Sequence, residues 1–214
     1  MNDRADRFRA QAGAAGFTLI ELLGVIVILG ILFAFLVPIL GKSEDTARIM
    51  TAKARLEELR SAIAEYETKM GDYPSSSWKD EWGSPPNTTN IGAEALVIQL
   101  FGTQWQTTLS EDLLSNTDSD ESRKALARFP KASLFEIKDP WGNPIAYSHR
   151  RDYEHPQVYL LQDPHTDELG ESTFKAHKNE KTGEYWMPKK FQLVSAGPDA
   201  EFGTDDDITA WDER

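Results

Sequence analysis

The stretch that decides the fold is GFTLIELLGVIVILGILFAFLVPIL, residues 16–40, in which Glu21 is the one charged side chain. As a helix that rises about 1.5 Å per residue, residues 17–40 reach about 36 Å, enough to cross a hydrocarbon core of about 30 Å. An ionised carboxylate in hydrocarbon costs about 2.5–3.5 kcal/mol, so we expect Glu21 to have a partner. Cleavage after Gly16 would supply one, because Phe17 would then carry a cationic α-amine at the start of the same helix.

This segment resembles the N-terminus of prepilins, the precursors of type IV pilins and type II secretion pseudopilins. The matching residues are Gly16, then FTLIE at 17–21, then the apolar run that contains Pro38. In that family a membrane-bound prepilin peptidase cleaves after the glycine and N-methylates the new phenylalanine. The resemblance therefore implies cleavage between Gly16 and Phe17, an N-methylated Phe17, and a role for Glu21 in seating each subunit beside its neighbour's N-terminus. A plain single-span anchor or an uncleaved signal sequence is the alternative, but neither accounts for Glu21.

Composition limits the possible functions of the chain. Its 214 residues carry a net charge of −12 with a sequence pI near 4.8, and no basic stripe occurs, so we predict no nucleic-acid partner. Cysteine is absent, which excludes disulfides and thiolate metal sites. It also departs from the many type IV pilins that close a C-terminal loop with a disulfide, and it favours the pseudopilin branch. No HExxH, G-x-S-x-G or P-loop motif is present, so we predict that the protein is not an enzyme.

The pattern divides the chain into four parts. With the resemblance, they are expected to be a leader removed by prepilin peptidase at 1–16, a membrane-spanning and filament-core helix at 17–40, its amphipathic continuation at 41–70, and a periplasmic globular domain with insertions and a C-terminal acidic loop at 71–214. Pro38 predicts either a kink or the end of the membrane helix, and the sequence leaves both open. The predicted fold class is α+β, with the long N-terminal helix packed on a small antiparallel β-sheet with long loops, as in pilins.

An amphipathic helix is predicted from Ser43 to Met70. Ser43 is followed by two acidic residues, which is typical of a helix start, and Gly71 is a typical stop. A short coiled coil would show a similar stripe, but a domain follows, so we expect this face to pack on a sheet. The apolar stripe at spacings of three and four consists of Ile49, Ala52, Leu56, Leu59, Ile63, Tyr66 and Met70.

Further elements follow in the globular part. We expect a short helix at Ala93–Phe101, some helix around Glu121–Phe129 within a polar insertion at 102–135, and strands at Ile145–Tyr147, Val158–Leu161 and Phe191–Ser195. A second insertion, at 162–190, is predicted to be a charged loop. Two motifs resemble the type II secretion major pseudopilin: Tyr73-Pro74 followed by GAEALV at 92–97, and DPWGNP at 139–144 ahead of an aromatic strand.

The acidic tail, SAGPDAEFGTDDDITAWDER at 195–214, is the candidate metal site. Carboxylates beside two glycines form an oxygen-rich loop suited to a hard cation such as calcium, which takes about 6–8 oxygen ligands. The spacing is not that of an EF-hand. The tail resembles the calcium loop near the C-terminus of major pseudopilins, although Ala200 replaces the usual glycine, and a solvated acidic end is the alternative. The resemblance implies a structural calcium ion held by Asp199, Asp205, Asp206 and Asp207.

The leading hypothesis for function is a major-pseudopilin-like subunit of a type II secretion pseudopilus. The resemblance implies self-assembly into a helical filament that drives protein export. It also implies contacts with prepilin peptidase, with minor pseudopilins and with an inner-membrane assembly platform. The protein would be anchored by a single pass in the bacterial inner membrane, with its C-terminal domain in the periplasm. The alternatives are a subunit of another type IV filament, such as a pilus or a DNA-uptake fibre, and an anchored periplasmic enzyme.

Overall fold

Our computed structural model of the protein describes residues 17–103, 105, 107–130 and 132–211, without the side chains of residues 35–44. It separates into two compact units, Met1–Glu44 and Asp45–Arg214, which are described in turn. The predicted leader, residues 1–16, lies outside the described residues, and the predicted cleavage site after Gly16 lies at their edge.

Helix α1 covers Leu19–Met70. The helix is continuous through Pro38 and Ser43, so the predicted helix start at Ser43 is wrong. Local capping residues do not start a helix when the residues before them are already helical. The predicted stop is confirmed: Gly71 has a φ of +84°, and its N–H donates to the carbonyl of Glu67 at 2.8 Å. A left-handed residue after the last turn is the usual way to satisfy the last carbonyls of a helix, and glycine adopts it without a Cβ clash.

The apolar stripe of α1 within the second unit is buried, as predicted. Its five central members, Ala52, Leu56, Leu59, Ile63 and Tyr66, are at most 7 % exposed. Ile49 is half-buried at one end of the stripe. At the other end Met70 is 45 % exposed, so its assignment to the buried stripe is wrong. The last turn of α1 therefore extends past the core, and the core contact ends near Tyr66.

A second helix, α2, covers Ile91–Leu100, which confirms the predicted short helix. It begins after Asn90, which has a φ of +56° and whose backbone N–H donates to the carbonyl of Val158 at 2.9 Å. The first turn approaches its neighbour so closely that a Cβ on Gly92 would lie 2.5 Å from the carbonyl oxygen of Tyr147. Glycine is needed here because the helix packs directly on a strand backbone.

In the described part of the chain, seven short strands form three antiparallel sheets. The three-stranded sheet has the order β3-β6-β7, β4 pairs with β5, and β1 pairs with β2. The strands are β1 (Leu114–Ser115), β2 (Glu136–Ile137), β3 (Ala146–His149), β4 (Gln157–Gln162), β5 (Leu169–Phe174), β6 (Phe191–Ser195) and β7 (Ile208–Thr209). Of the two apolar clusters in the described residues, the larger joins the stripe of α1 to residues of α2, β3 and β6, and the smaller lies around β4 and β5. The α+β class with small antiparallel sheets is confirmed.

The strand predictions agree with this arrangement except in the two insertions. β3, β4 and β6 confirm the three predicted strands, and the turn before β3 is closed by the carboxylate of Asp139, whose Oδ1 accepts from the N–H groups of Trp141 and Asn143.

The helix expected around Glu121–Phe129 is absent from the described structure. The backbone N–H of Ser122 instead donates across a loop to the carbonyl of Ala132 at 2.8 Å. The insertion at 162–190 was predicted to be a loop but contains β5.

The buried stripe supports a direct test by substitution. Leu56→Ala should lower the free energy of unfolding by about 2–5 kcal/mol, because Leu56 is fully buried and its removal leaves a cavity. Met50→Ala, on the same helix but 67 % exposed, should change it by about 0.5 kcal/mol or less. Denaturant unfolding of the full chain in detergent measures both. Equal effects of the two substitutions would contradict the packing described here.

Candidate functional site

The first unit presents apolar side chains in every direction around α1. Large apolar residues from Phe17 to Phe33 are between 45 % and 84 % exposed. Globular helices bury one apolar stripe, so apolar exposure all round a helix indicates a lipid or protein environment outside the chain. Among the residues that the structure describes, no helix has both the length and the hydropathy required to cross a membrane. The membrane span at 17–40 stays a prediction.

Glu21 has a partner inside the chain. Its Oε2 accepts hydrogen bonds from the backbone N–H of Thr18 at 2.8 Å and from the hydroxyl of Thr18 at 2.7 Å. In return, the backbone N–H of Glu21 donates to the hydroxyl oxygen of Thr18 at 3.3 Å. This reciprocal pair is a capping box, in which Thr18 caps the helix and the acid three residues later completes it. The sequence TLIE at 18–21 has the spacing of a capping box, which was not among the features predicted from the sequence.

The acidic tail forms the connection between β6 and β7. After Ser195 the chain makes a short 3₁₀ helix at Gly197–Asp199, turns back through residues 200–207, and pairs with β6 again at Ile208. Gly197 has a φ of +69°, and a Cβ there would lie 2.4 Å from the carbonyl oxygen of Asp206. Phe202 fixes the middle of the loop, because its ring lies 5.4 Å from those of both Tyr159 and Phe174. The predicted acidic loop is therefore a folded turn.

The four predicted metal ligands fall into three environments. The backbone N–H of Asp199 donates to Oδ2 of Asp206 at 3.3 Å, so these two residues lie together. Burial raises the pKa of Asp199, and the neighbouring Asp206 adds to the rise. Asp207 has other contacts: its Oδ2 lies 3.4 Å from Nε2 of His177 and accepts from the backbone N–H of Gly203, and its Oδ1 is buried without a hydrogen-bond partner. Asp205 is exposed. In the described structure no three of these carboxylates come within 4.8 Å of one another.

A set of acids elsewhere in the second unit, two of them buried and one half-buried, was not predicted from the sequence. Ligand oxygens of Glu94, Asp118 and Glu136 all lie within 4.8 Å of one another, the only such set of three in the described residues. Burial raises the pKa of Glu136 to about 8, and it raises the pKa values of Glu94 and Asp120 beside neighbouring carboxylates. The signal available in the sequence was an acid inside each of two apolar runs, ALVIQL after Glu94 and LFEI around Glu136.

Comparison with known proteins agrees with the N-terminal geometry and extends over the whole chain. Residues 12–37 match the family described as "Prokaryotic N-terminal methylation motif". The type II secretion system core protein G of Pseudomonas aeruginosa is 32 % identical over 133 residues, which cover 62 % of this chain and 72 % of that protein. The chain belongs to the family of type II secretion system core protein G. The protein of the same name from Vibrio cholerae O1 is 31 % identical, over 68 % of this chain and 78 % of its own length.

The match to core protein G extends along nearly the whole chain. The Escherichia coli K12 member is 29 % identical over 203 residues, covering 95 % of this chain and 94 % of that protein. No solved structure gave a significant match. The resemblance to the major pseudopilins of type II secretion is thus confirmed, and with it the prediction of a structural subunit of the pseudopilus.

The shape of the acidic loop predicts a sharp difference between its two glycines. Gly197→Ala should lower the free energy of unfolding by about 1–3 kcal/mol or more, because the φ is left-handed and the Cβ meets the Asp206 carbonyl. Gly203→Ala is the matched control, since Gly203 has a φ of +88° but open space around a Cβ. Gly203→Ala should therefore lower the free energy of unfolding by less than Gly197→Ala does. Thermal unfolding of the two variants decides this, and a larger loss for Gly203→Ala would contradict the contact with Asp206.

Proposed function

We propose that this pseudopilin assembles through the first part of α1 into a helical filament in the periplasm and that the filament drives protein export. The observation that carries the proposal is the ring of exposed apolar side chains from Phe17 to Phe33. Burial of apolar surface is worth about 25 cal/mol per Å², so this segment needs either hydrocarbon or other subunits around it. A chain that moves from membrane to filament would keep the segment covered in both states.

The same segment serves as the membrane anchor before assembly. Residues 17–40 form an uninterrupted apolar run apart from Glu21, and the run belongs to one helix. Residues 17–40 taken together, including 35–40, whose side chains the structure does not describe, would reach about 36 Å at about 1.5 Å per residue, the length of one pass of a bilayer. The subunit would then lie in the bacterial inner membrane with its globular unit in the periplasm. There it would meet prepilin peptidase, the assembly platform and the minor pseudopilins.

Processing and assembly are linked through Glu21. Cleavage after Gly16 would leave Phe17, N-methylated, as the N-terminus of the mature subunit. Thr18 occupies only Oε2 of Glu21, and Oε1 has no hydrogen-bond partner among the described residues. One carboxylate oxygen therefore caps its own helix while the other is available to the cationic amine of a neighbouring subunit's Phe17. Apolar surroundings would strengthen this ion pair.

A calcium ion in the acidic loop is the second part of the proposal. Asp199 and Asp206 lie together, and Asp207 keeps one buried oxygen without a hydrogen bond. All of these donors are oxygens, which suits a hard cation with flexible geometry. Asp199 and Asp206 would supply the first ligands, and Asp207 and the exposed Asp205 would have to move toward them, because no three of these carboxylates lie within 4.8 Å of one another in the described structure. Calcium would offset the repulsion between these carboxylates and hold the turn against β6.

The role of Glu21 is testable with variants that separate charge from capping. Glu21→Gln keeps a hydrogen-bond acceptor for Thr18 but has no charge, and Glu21→Ala loses both. If Glu21 pairs with a neighbour's amine, both variants should insert into the membrane as folded monomers and assemble poorly, because the contact between subunits is lost. Thr18→Val, which removes only the capping hydroxyl, should assemble better than either. Crosslinking and electron microscopy of sheared filaments provide the readout.

The pairing with a neighbouring amine would be contradicted if Glu21→Gln formed filaments as abundantly as the unmodified chain. In that case capping would be the function of the residue. Equal failure of Thr18→Val and Glu21→Ala would lead to the same conclusion.

The calcium site is testable by thermal unfolding of the full chain in detergent. Calcium should raise the unfolding temperature over that in chelator, since an ion bound only by the folded loop adds about 2.7 kcal/mol at a hundredfold excess over its dissociation constant. Magnesium should do less, because it requires a small octahedral shell. Asp199→Asn and Asp206→Asn should each reduce the calcium-dependent rise, and the exposed Asp80→Asn should not. The same rise in all of these chains would show that the loop does not bind calcium.

A further inference from the structure

Four acidic side chains from three separate segments meet inside the second unit. This acidic cluster consists of Glu94 in the first turn of α2, Asp118 and Asp120 in the loop after β1, and Glu136 in β2. Oxygens of Glu94, Asp118 and Glu136 lie within 4.8 Å of one another. Asp120 lies against Glu94, because each of these carboxyl groups alters the pKa of the other.

Two members of the acidic cluster are buried, the two aspartates are half-buried, and several of the carboxylate oxygens are themselves buried without a hydrogen-bond partner. Glu94 and Glu136 are 0 % exposed. Both carboxylate oxygens of Glu94, together with Oδ1 of Asp118 and Oδ1 of Asp120, are buried without a hydrogen bond. Leaving a buried polar atom unsatisfied costs about 1–3 kcal/mol, and more for a charged one. The group that can bond to the carboxyl group of Glu94 is another carboxyl group, that of Asp120, so this fully buried glutamate needs either a shared proton or a cation.

The remaining oxygens are held in place by amide and hydroxyl groups. The side-chain amide of Asn87 donates to Oδ2 of Asp118 and to Oδ2 of Asp120, both at 3.0 Å. Oε2 of Glu136 accepts from the backbone N–H of Thr117 at 2.9 Å and from its hydroxyl at 3.2 Å. Each aspartate thus keeps one oxygen fixed and one unsatisfied. These hydrogen bonds hold the carboxylates in fixed orientations, as the binding of one metal ion by several of them requires.

Among the residues that the structure describes, no positive side chain neutralises the acidic cluster. In the part of the chain that the structure describes, none of its four carboxylates forms an ion pair with lysine, arginine or histidine. Buried carboxylates without a cation repel one another and lose their hydration, so such a group must either bind protons or bind a metal ion. Proton sharing leaves the four unsatisfied oxygens only partly satisfied, whereas one metal ion can contact several of them at once.

We propose that the acidic cluster binds a divalent cation of the calcium type, at a site separate from the C-terminal loop. The donors are all oxygens, with no histidine or cysteine among them, which favours a hard cation over zinc. Calcium accepts about 6–8 oxygens and tolerates monodentate and bidentate carboxylates, so it matches this group better than magnesium does. The ion would tie the polar insertion at 102–135 to α2. This site does not depend on whether the C-terminal loop binds calcium.

The test uses the full chain in detergent with the C-terminal loop disabled by Asp199→Asn and Asp206→Asn. In equilibrium dialysis against calcium, this parent chain should retain one bound ion. Glu94→Gln added to it should weaken that binding at least tenfold, and Glu136→Gln should do the same. Glu121→Gln, an exposed acid in the same insertion, is the matched control and should bind calcium like the parent.

Unfolding temperatures in chelator show whether the variants are folded. Without an ion, Glu94→Gln should unfold at the same temperature as the parent or higher, because it removes a buried charge. With calcium the order should reverse, since only the parent gains stability. A parent chain that binds no calcium, or a Glu94→Gln variant that binds it as tightly as the parent, would overturn the proposal and leave proton sharing as the account of the acidic cluster.

Discussion

Helix α1 carries two apolar surfaces, and the chain itself buries only one of them. Between Ala52 and Tyr66 the apolar side chains are covered by α2 and the β3–β6 sheet. Between Phe17 and Phe33 they are exposed on all sides. The free energy of apolar burial makes the second situation unstable in water, so this part of α1 requires hydrocarbon or neighbouring subunits. The stable globular unit and the need to assemble both follow from this one helix.

The sequence predicted those helices and strands in which the apolar repeat matches the face that is buried and in which turn residues mark an end. The stripe of α1, the short helix α2 and the strands β3, β4 and β6 were all predicted, because each combines an apolar repeat with a clear stop such as Gly71 or the DPWGNP turn. The errors occur where a local signal competes with a wider context. Ser43 has the residues of a helix start but lies inside a helix that began at Leu19. β5 reads LGESTF. Its first five residues are exposed or half-buried, so this strand does not need an apolar repeat and the sequence shows none.

The acidic residues also divide into a group that the sequence predicted and a group that it did not. The C-terminal aspartates are adjacent in the chain, so the sequence alone pointed to them. What it did not predict was their division into the Asp199–Asp206 pair and the Asp207–His177 contact, since that depends on how Phe202 and Gly197 shape the turn. The acidic cluster around Glu94 is assembled from three segments, two of them in or beside an insertion. Only the folded chain brings these carboxylates together, and their mutual repulsion without a cation is what makes the group informative.

The account depends on α1 remaining in the mature subunit with a free cationic N-terminus next to Glu21. Intact-mass spectrometry of the protein extracted from membranes of a host with active prepilin peptidase tests this most directly. We predict a chain that begins at Phe17 and carries one additional methyl group. A chain that retains residues 1–16, or one that has been cut beyond Leu40 and so lacks the apolar helix, would contradict the account.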